Sequence, residues 1–200
     1  MGAHRGAPLR IPATTGRSTC ARKSLDKVER VFVLGIDPGL SRCGYGLVER
    51  NGSRLIARAG GVVTTGPTTP LPERLHTLFT ELRSLVTEMH PDAVVVERVF
   101  FQTNVRTAMA TGQAGGLALV AAAEAGCEVA QYTSNEVKQA VVGFGSASKD
   151  QVQNMVAALL ELPERPNPPD VADALALAVC HLTSQPLRRA IAAATTGSQP

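Results

Sequence analysis

The sequence predicts a mixed α/β fold: a five-stranded sheet, antiparallel at its start and then parallel, with helices on both faces. Three observations carry that expectation. Residues 31–36 form an apolar run that stops at Asp37-Pro38-Gly39, as a strand buried on both faces stops at a sharp turn. Strand-length apolar runs then alternate with helical periods in the order β-β-β-α-β-α-β-α-α-α. The composition, 44% hydrophobic but only 4% aromatic, suits a core of Ala, Val and Leu.

Each element has a local reason. In the opening strand, Pro38 biases Asp37 towards extended backbone and Gly39 tolerates a left-handed turn. A second strand follows over residues 40–49. Asn51-Gly52 marks a turn, and the apolar pieces 55–57 and 61–64 continue an antiparallel meander. Pro72-Glu73 opens a helix whose stripe is Leu71, Leu75, Leu78, Phe79, Leu82, Leu85, Val86 and Met89, with Pro91 beyond its end. Ala93-Val94-Val95-Val96 is a short strand closing on Glu97. A long helix runs from about 105 to 125, where Gly112, Gly115 and Gly116 suggest a close packing partner. Residues 127–132 form the last strand. Capping boxes at Thr133/Glu136 and Ser148/Gln151 open helices to about 142 and 162. After the proline-rich connector 163–169, Asp170 begins a final helix to about 183.

Two hundred residues suit one folded domain with tails. Residues 1–29 read as a disordered basic arm, residues 30–185 as the folded domain, and residues 186–200 as a flexible tail. The arm region 1–30 holds seven Lys/Arg against two acids, whereas the remainder holds 13 against 15. A nucleic-acid partner would therefore need a local basic face on the body. No apolar run reaches the roughly 18 residues of a membrane helix, and no secretory h-region is present. Cys20, Cys43, Cys127 and Cys180 are scattered without zinc or disulfide spacing, which suits a reduced, cytoplasmic setting.

The chemistry gathers in four acids. Asp37 and Glu97 each end a buried strand, where open α/β sheets place their ligands. Asp170 and Asp173 lie three apart and share a helix face. Asp37 alone equally suits a turn opener, and two acids in a first turn equally suit a helix dipole. Converging, the four would repel one another unless cations neutralised them. Oxygen-only donors select a hard ion such as Mg²⁺ or Mn²⁺. Two such ions roughly 3.5–4 Å apart could activate water and steady the leaving oxygen of a phosphodiester.

The motifs Gly35-Ile36-Asp37-Pro38-Gly39, Gly44-Tyr45-Gly46, Val96-Glu97-Arg98-Val99-Phe100, Glu136-Val137-Lys138-Gln139, Gly143-Phe144-Gly145-Ser146-Ala147 and Asp170-Val171-Ala172-Asp173-Ala174-Leu175 occur in that order. Together they resemble the RuvC-type Holliday junction resolvases. These have the ribonuclease H-like fold shared with retroviral integrases. The resemblance spans about residues 31–184. It implies a Mg²⁺-dependent homodimer that cuts two strands of a four-way junction symmetrically, with a branch-migration complex of the RuvA and RuvB type as partner. It implies that Asp37, Glu97, Asp170 and Asp173 are the catalytic, metal-binding carboxylates of a two-ion site. It implies that Phe100 stacks on a junction base and that Lys138 and Lys149 meet phosphates. From residue type alone, Phe100-Phe101 fits a core as well, and the lysines fit an exposed surface. His181 stands roughly 12 Å along the helix from Asp173, which points to packing or support.

Two other function classes stay open. A ribonuclease H-like enzyme of another specificity would keep the carboxylates but prefer RNA or hybrid substrates. A non-catalytic junction-binding module would lack metal-dependent nicking.

Overall fold

The computed structural model describes residues 4–5, 30–98 and 105–196, with side chains over 30–98 and 105–184. Phe100, most of the basic arm and the last four residues lie outside the described residues. The chain order is β1 His4–Arg5, β2 Arg30–Asp37, β3 Arg42–Asn51, β4 Arg54–Thr64, α1 Leu71–Met89, β5 Ala93–Glu97, α2 Val105–Glu124, β6 Glu128–Tyr132, α3 Ser134–Val142, α4 Lys149–Leu159 and α5 Pro169–Thr196. The sheet order is β1-β4-β3-β2-β5-β6. β2, β3 and β4 form the antiparallel meander, while β5 and β6 add in parallel beyond β2.

Layering follows from strand alternation. In β2, Val33 faces one core, with Val95 of β5 and Val171, Leu175 and Ala178 of α5. Leu34 and Ile36 face the other, with Val94 and Val96 and the apolar faces of α1 and α2. Helices α3 and α4 pack on α5. Asp37 follows the parity of Val33 and Gly35, and Glu97 that of Ala93 and Val95. Both acids therefore leave the sheet on the α5 side.

Several expectations change. Residues 4–5 are not an unstructured part of the arm: they pair with Thr64 and Val63 at the sheet edge, adding a short sixth strand. The two apolar pieces 55–57 and 61–64 are one strand, with a register shift opposite Leu47/Val48 that leaves Arg58 as the extra residue. Such a bulge re-aims a side chain, and Arg58 reaches the buried Glu49.

The expected tail, residues 186–200, begins as helix, because α5 continues through Thr196. Pro186 lacks the N–H that would bond Leu182 four residues back, but Arg50 Nη1 donates to the Leu182 carbonyl at 2.8 Å instead. With that carbonyl satisfied, the good helix formers Leu187, Arg188, Arg189 and Ala190 carry the helix on. In α2, only Gly115 has the expected close partners, Pro38 and Val96. Gly112 and Gly116 face open space.

Candidate active site

The site forms where α5 crosses the carboxyl ends of β2 and β5, and glycines on the sheet make that crossing possible. A Cβ at Gly35 would lie 1.9 Å from the Ala174 carbonyl oxygen, and one at Gly44 would lie 2.2 Å from that of Asp170. At Gly46 it would meet the Leu175 side chain at 2.8 Å. Only bare backbone on β2 and β3 lets the helix settle this close. The contact sets its height, and so places Asp170 and Asp173 beside Asp37. In the motif Gly44-Tyr45-Gly46, two strand residues on one face are reduced to backbone, a signal whose meaning shows only once α5 is known to lie across them.

A cleft of about 360 Å³ opens there, lined by Asp37, Glu97 and Asp173 with Lys138 and Lys149. The capping box of α3 joins Thr133 to Glu136, and that of α4 joins Ser148 to Gln151. Each box fixes a helix start, so Lys149 stands at the first position of α4. Its Nζ lies 2.6 Å from Asp173 Oδ2. Asp170 is turned to a different partner: Arg42 Nη2 donates to its Oδ2 at 2.7 Å. Arg42 was not among the residues expected from the sequence. Its position five residues after Asp37 carries no signal without knowing that β3 brings it back beneath α5.

The electrostatics show how far the acids share one field. Burial pushes the Asp37 carboxyl up to about 7, and the negative charges of Asp173, Glu97 and Asp170 add to that rise against Lys149. Burial also raises Glu97, helped by Asp173 and opposed by Lys149. For Asp170 burial works upward, but the Arg42 hydrogen bond and the charges of Arg42 and Lys149 outweigh it and hold the carboxyl below its ordinary value. Lys149 is raised, chiefly by its hydrogen bond to Asp173. The cleft therefore carries more negative charge than its two nearest cations balance.

All four acids offer hard oxygen donors, and the rise at Asp37 and Glu97 marks a demand for positive charge. That donor set fits a hard divalent cation. Among the described residues no three such groups are already gathered as a metal cage, and Arg42 and Lys149 hold the outer oxygens of the two helix acids. Ligation would draw the carboxylates off those partners. Lys138 borders the cleft, and Phe100 lies outside the described residues. His181 is fully buried, with Nδ1 3.1 Å from the Tyr132 hydroxyl. It joins α5 to β6 rather than entering the cleft.

The family model described as "Crossover junction endodeoxyribonuclease RuvC" matches residues 33–181. A RuvC from Heliobacterium modesticaldum is 53% identical over 150 residues, covering 75% of this chain and 93% of the relative. One from Alkaliphilus oremlandii is 48% identical over 151 residues, covering 76% and 92%. Among solved structures, Thermus thermophilus RuvC superposes with a TM-score of 0.73 at 39% identity, covering 78% of this chain and 96% of that one. The same bacterium's RuvC in complex with a Holliday junction substrate gives 0.71 at 36% identity, with the same coverage. The yeast mitochondrial Holliday junction resolvase shares the fold, with a TM-score of 0.59 at 14% identity.

Proposed function

The chain belongs to the RuvC family of crossover junction endodeoxyribonucleases, and we propose that it resolves Holliday junctions in recombination and DNA repair. It does so by divalent-metal-dependent hydrolysis of one phosphodiester in each of two opposed strands. The observation that carries the reading is the single field shared by Asp37, Glu97, Asp170 and Asp173. Together with burial, which is the larger cause, it raises Asp37 to about 7 in a cleft edged by Lys138 and Lys149.

In this reading Asp37, Glu97, Asp170 and Asp173 hold two Mg²⁺ ions, with Mn²⁺ able to substitute. Bound there, such ions supply water activation and stabilisation of the leaving oxygen. Asp37 and Glu97, fixed on adjacent parallel strands, set the rigid half of the site. Asp170 and Asp173, on one helix face, set the half that depends on how α5 sits. Lys149 leaves Asp173 for a non-bridging phosphate oxygen, and Lys138 meets a neighbouring phosphate. Phe100 stacks on an unpaired base at the junction centre, worth roughly 1–3 kcal/mol. Two-fold symmetry of the junction calls for a homodimer presenting one cleft to each cut strand. The branch-migration complex of the RuvA and RuvB type would deliver the substrate. No described helix is long and apolar enough to cross a membrane, and the cytoplasm is the proposed location.

A synthetic mobile four-way junction incubated with the purified protein tests this. Paired nicks at symmetry-related positions, dependent on Mg²⁺ and absent with EDTA, are expected. Preferential cutting of an RNA–DNA hybrid would instead assign a ribonuclease H-like specificity. Tight junction binding with no metal-dependent nicking would assign a non-catalytic module.

A further inference from the structure

Arg42 does more than hold Asp170. It also lines a second groove, of about 660 Å³, formed by the turn after β2, the start of α1 and the first half of α2. Arg42, Arg74 and Arg106 contribute guanidinium groups to its walls, and no carboxylate is among the described lining residues. Arg74 is fixed: its Nε donates to Thr65 Oγ1 at 2.9 Å and its Nη2 to Ser41 Oγ at 2.7 Å. Arg106, on the first turn of α2, and Arg42 are both exposed. Leu71 and Met109, at 42% and 62% exposure, add apolar sides.

The charge balance gives this groove a task. An acid-lined cleft repels a DNA backbone, and beyond residue 30 acids outnumber Lys and Arg by 15 to 13, so the body as a whole offers phosphates no attraction. Cations that hold the strand must be concentrated locally, close to the acids but clear of them. The arginine groove meets both conditions: no carboxylate is among its described lining residues, yet Arg42 reaches from its wall to Asp170 Oδ2. A guanidinium also fits the geometry of a phosphate as a two-pronged donor.

We propose that this groove binds the sugar–phosphate backbone of the substrate DNA flanking the phosphate being cut. Arg74 organises its floor, Arg106 meets phosphate directly, and Arg42 passes from Asp170 to a phosphate when the strand arrives. Binding of the strand then frees Asp170 for its metal. This rests on the junction-nuclease reading above.

The test is fluorescence anisotropy of a labelled four-way junction in EDTA across a series of NaCl concentrations, alongside cleavage in Mg²⁺. Arg106→Gln should weaken binding by about tenfold and make the plot of log affinity against log salt shallower by about one. Arg106→Lys should keep the slope, and both should melt at the wild-type temperature. Arg106→Gln with wild-type affinity and slope overturns the groove, even where wild-type protein still binds and cuts the junction. A changed monomer–dimer equilibrium with an unchanged slope, read by sedimentation, also overturns it and makes the groove a contact between copies. Wild-type protein that neither binds nor cuts the junction defeats the parent reading instead.

Discussion

Gly35→Ala isolates the packing that assembles the site. The added methyl would start 1.9 Å from the carbonyl oxygen of Ala174, and real contacts of this kind stay above 3.0 Å. The obstacle is helix backbone, which has no rotamer to swing aside, so α5 must lift by about 1.1 Å at Ala174. Asp173 is the neighbouring residue and Asp170 lies one turn away, while Asp37 stays on the strand below. A displacement near 1 Å between groups that must act together costs about 10²-fold in rate, and the overpacking costs about 1–3 kcal/mol in stability. Single-turnover cleavage of a synthetic junction at saturating Mg²⁺ should therefore fall by about two orders of magnitude. Junction affinity in EDTA should change little, and a folded, lower melting transition should remain. A Gly35→Ala protein that cuts and melts as the wild type does would refute the claim that bare strand backbone sets the height of α5.

Asp37→Asn should abolish cleavage and leave junction binding in EDTA intact; lost binding would count against a metal-holding role. Without metal, the folded protein binds a proton at Asp37 more tightly than the unfolded chain does, so stability should fall as pH rises from about 4 to about 7. The loss is at most about 4 kcal/mol from this group. Glu97 acts in the same direction and the depressed Asp170 in the opposite one. Chemical denaturation across that range should show the decline, and Asp37→Asn should flatten it. Lys149→Met should reduce cleavage by about 10²-fold while stability changes by less than about 1 kcal/mol, because the Lys149–Asp173 pair is solvent-accessible. Arg50→Ala leaves the Leu182 carbonyl without its donor, which should cost about 1–3 kcal/mol by denaturant titration.

Much of the fold is legible because local signals and burial agree. The apolar run of β2, the capping boxes of α3 and α4 and the leucine stripe of α1 all sit where their chemistry puts them, with Leu78, Leu82, Leu85 and Val86 buried. The candidate acids are legible as strand ends and a shared helix face. What brings them together is not, because it depends on absences: side chains missing at Gly35, Gly44 and Gly46 matter only once α5 is known to lie across β2 and β3. The partners of the acids are hidden for a related reason. Arg42 meets Asp170 across 128 residues of sequence, and nothing local marks it. The end of α5, expected near residue 183, is hidden as well, because the helix runs on past Pro186. That proline lacks the N–H the helix would use there, yet Arg50 from β3 satisfies the exposed carbonyl and the helix goes on. In each case a long-range contact overrides the local rule.

Mn²⁺ titrated into the protein at pH 8, with free ion followed by electron paramagnetic resonance, tests most directly whether the acids hold metal. Saturable uptake by the wild-type protein, lost in Asp37→Asn, is the predicted result. Equal uptake by both proteins would show that the ions bind elsewhere and that the crowded carboxylates serve some other end.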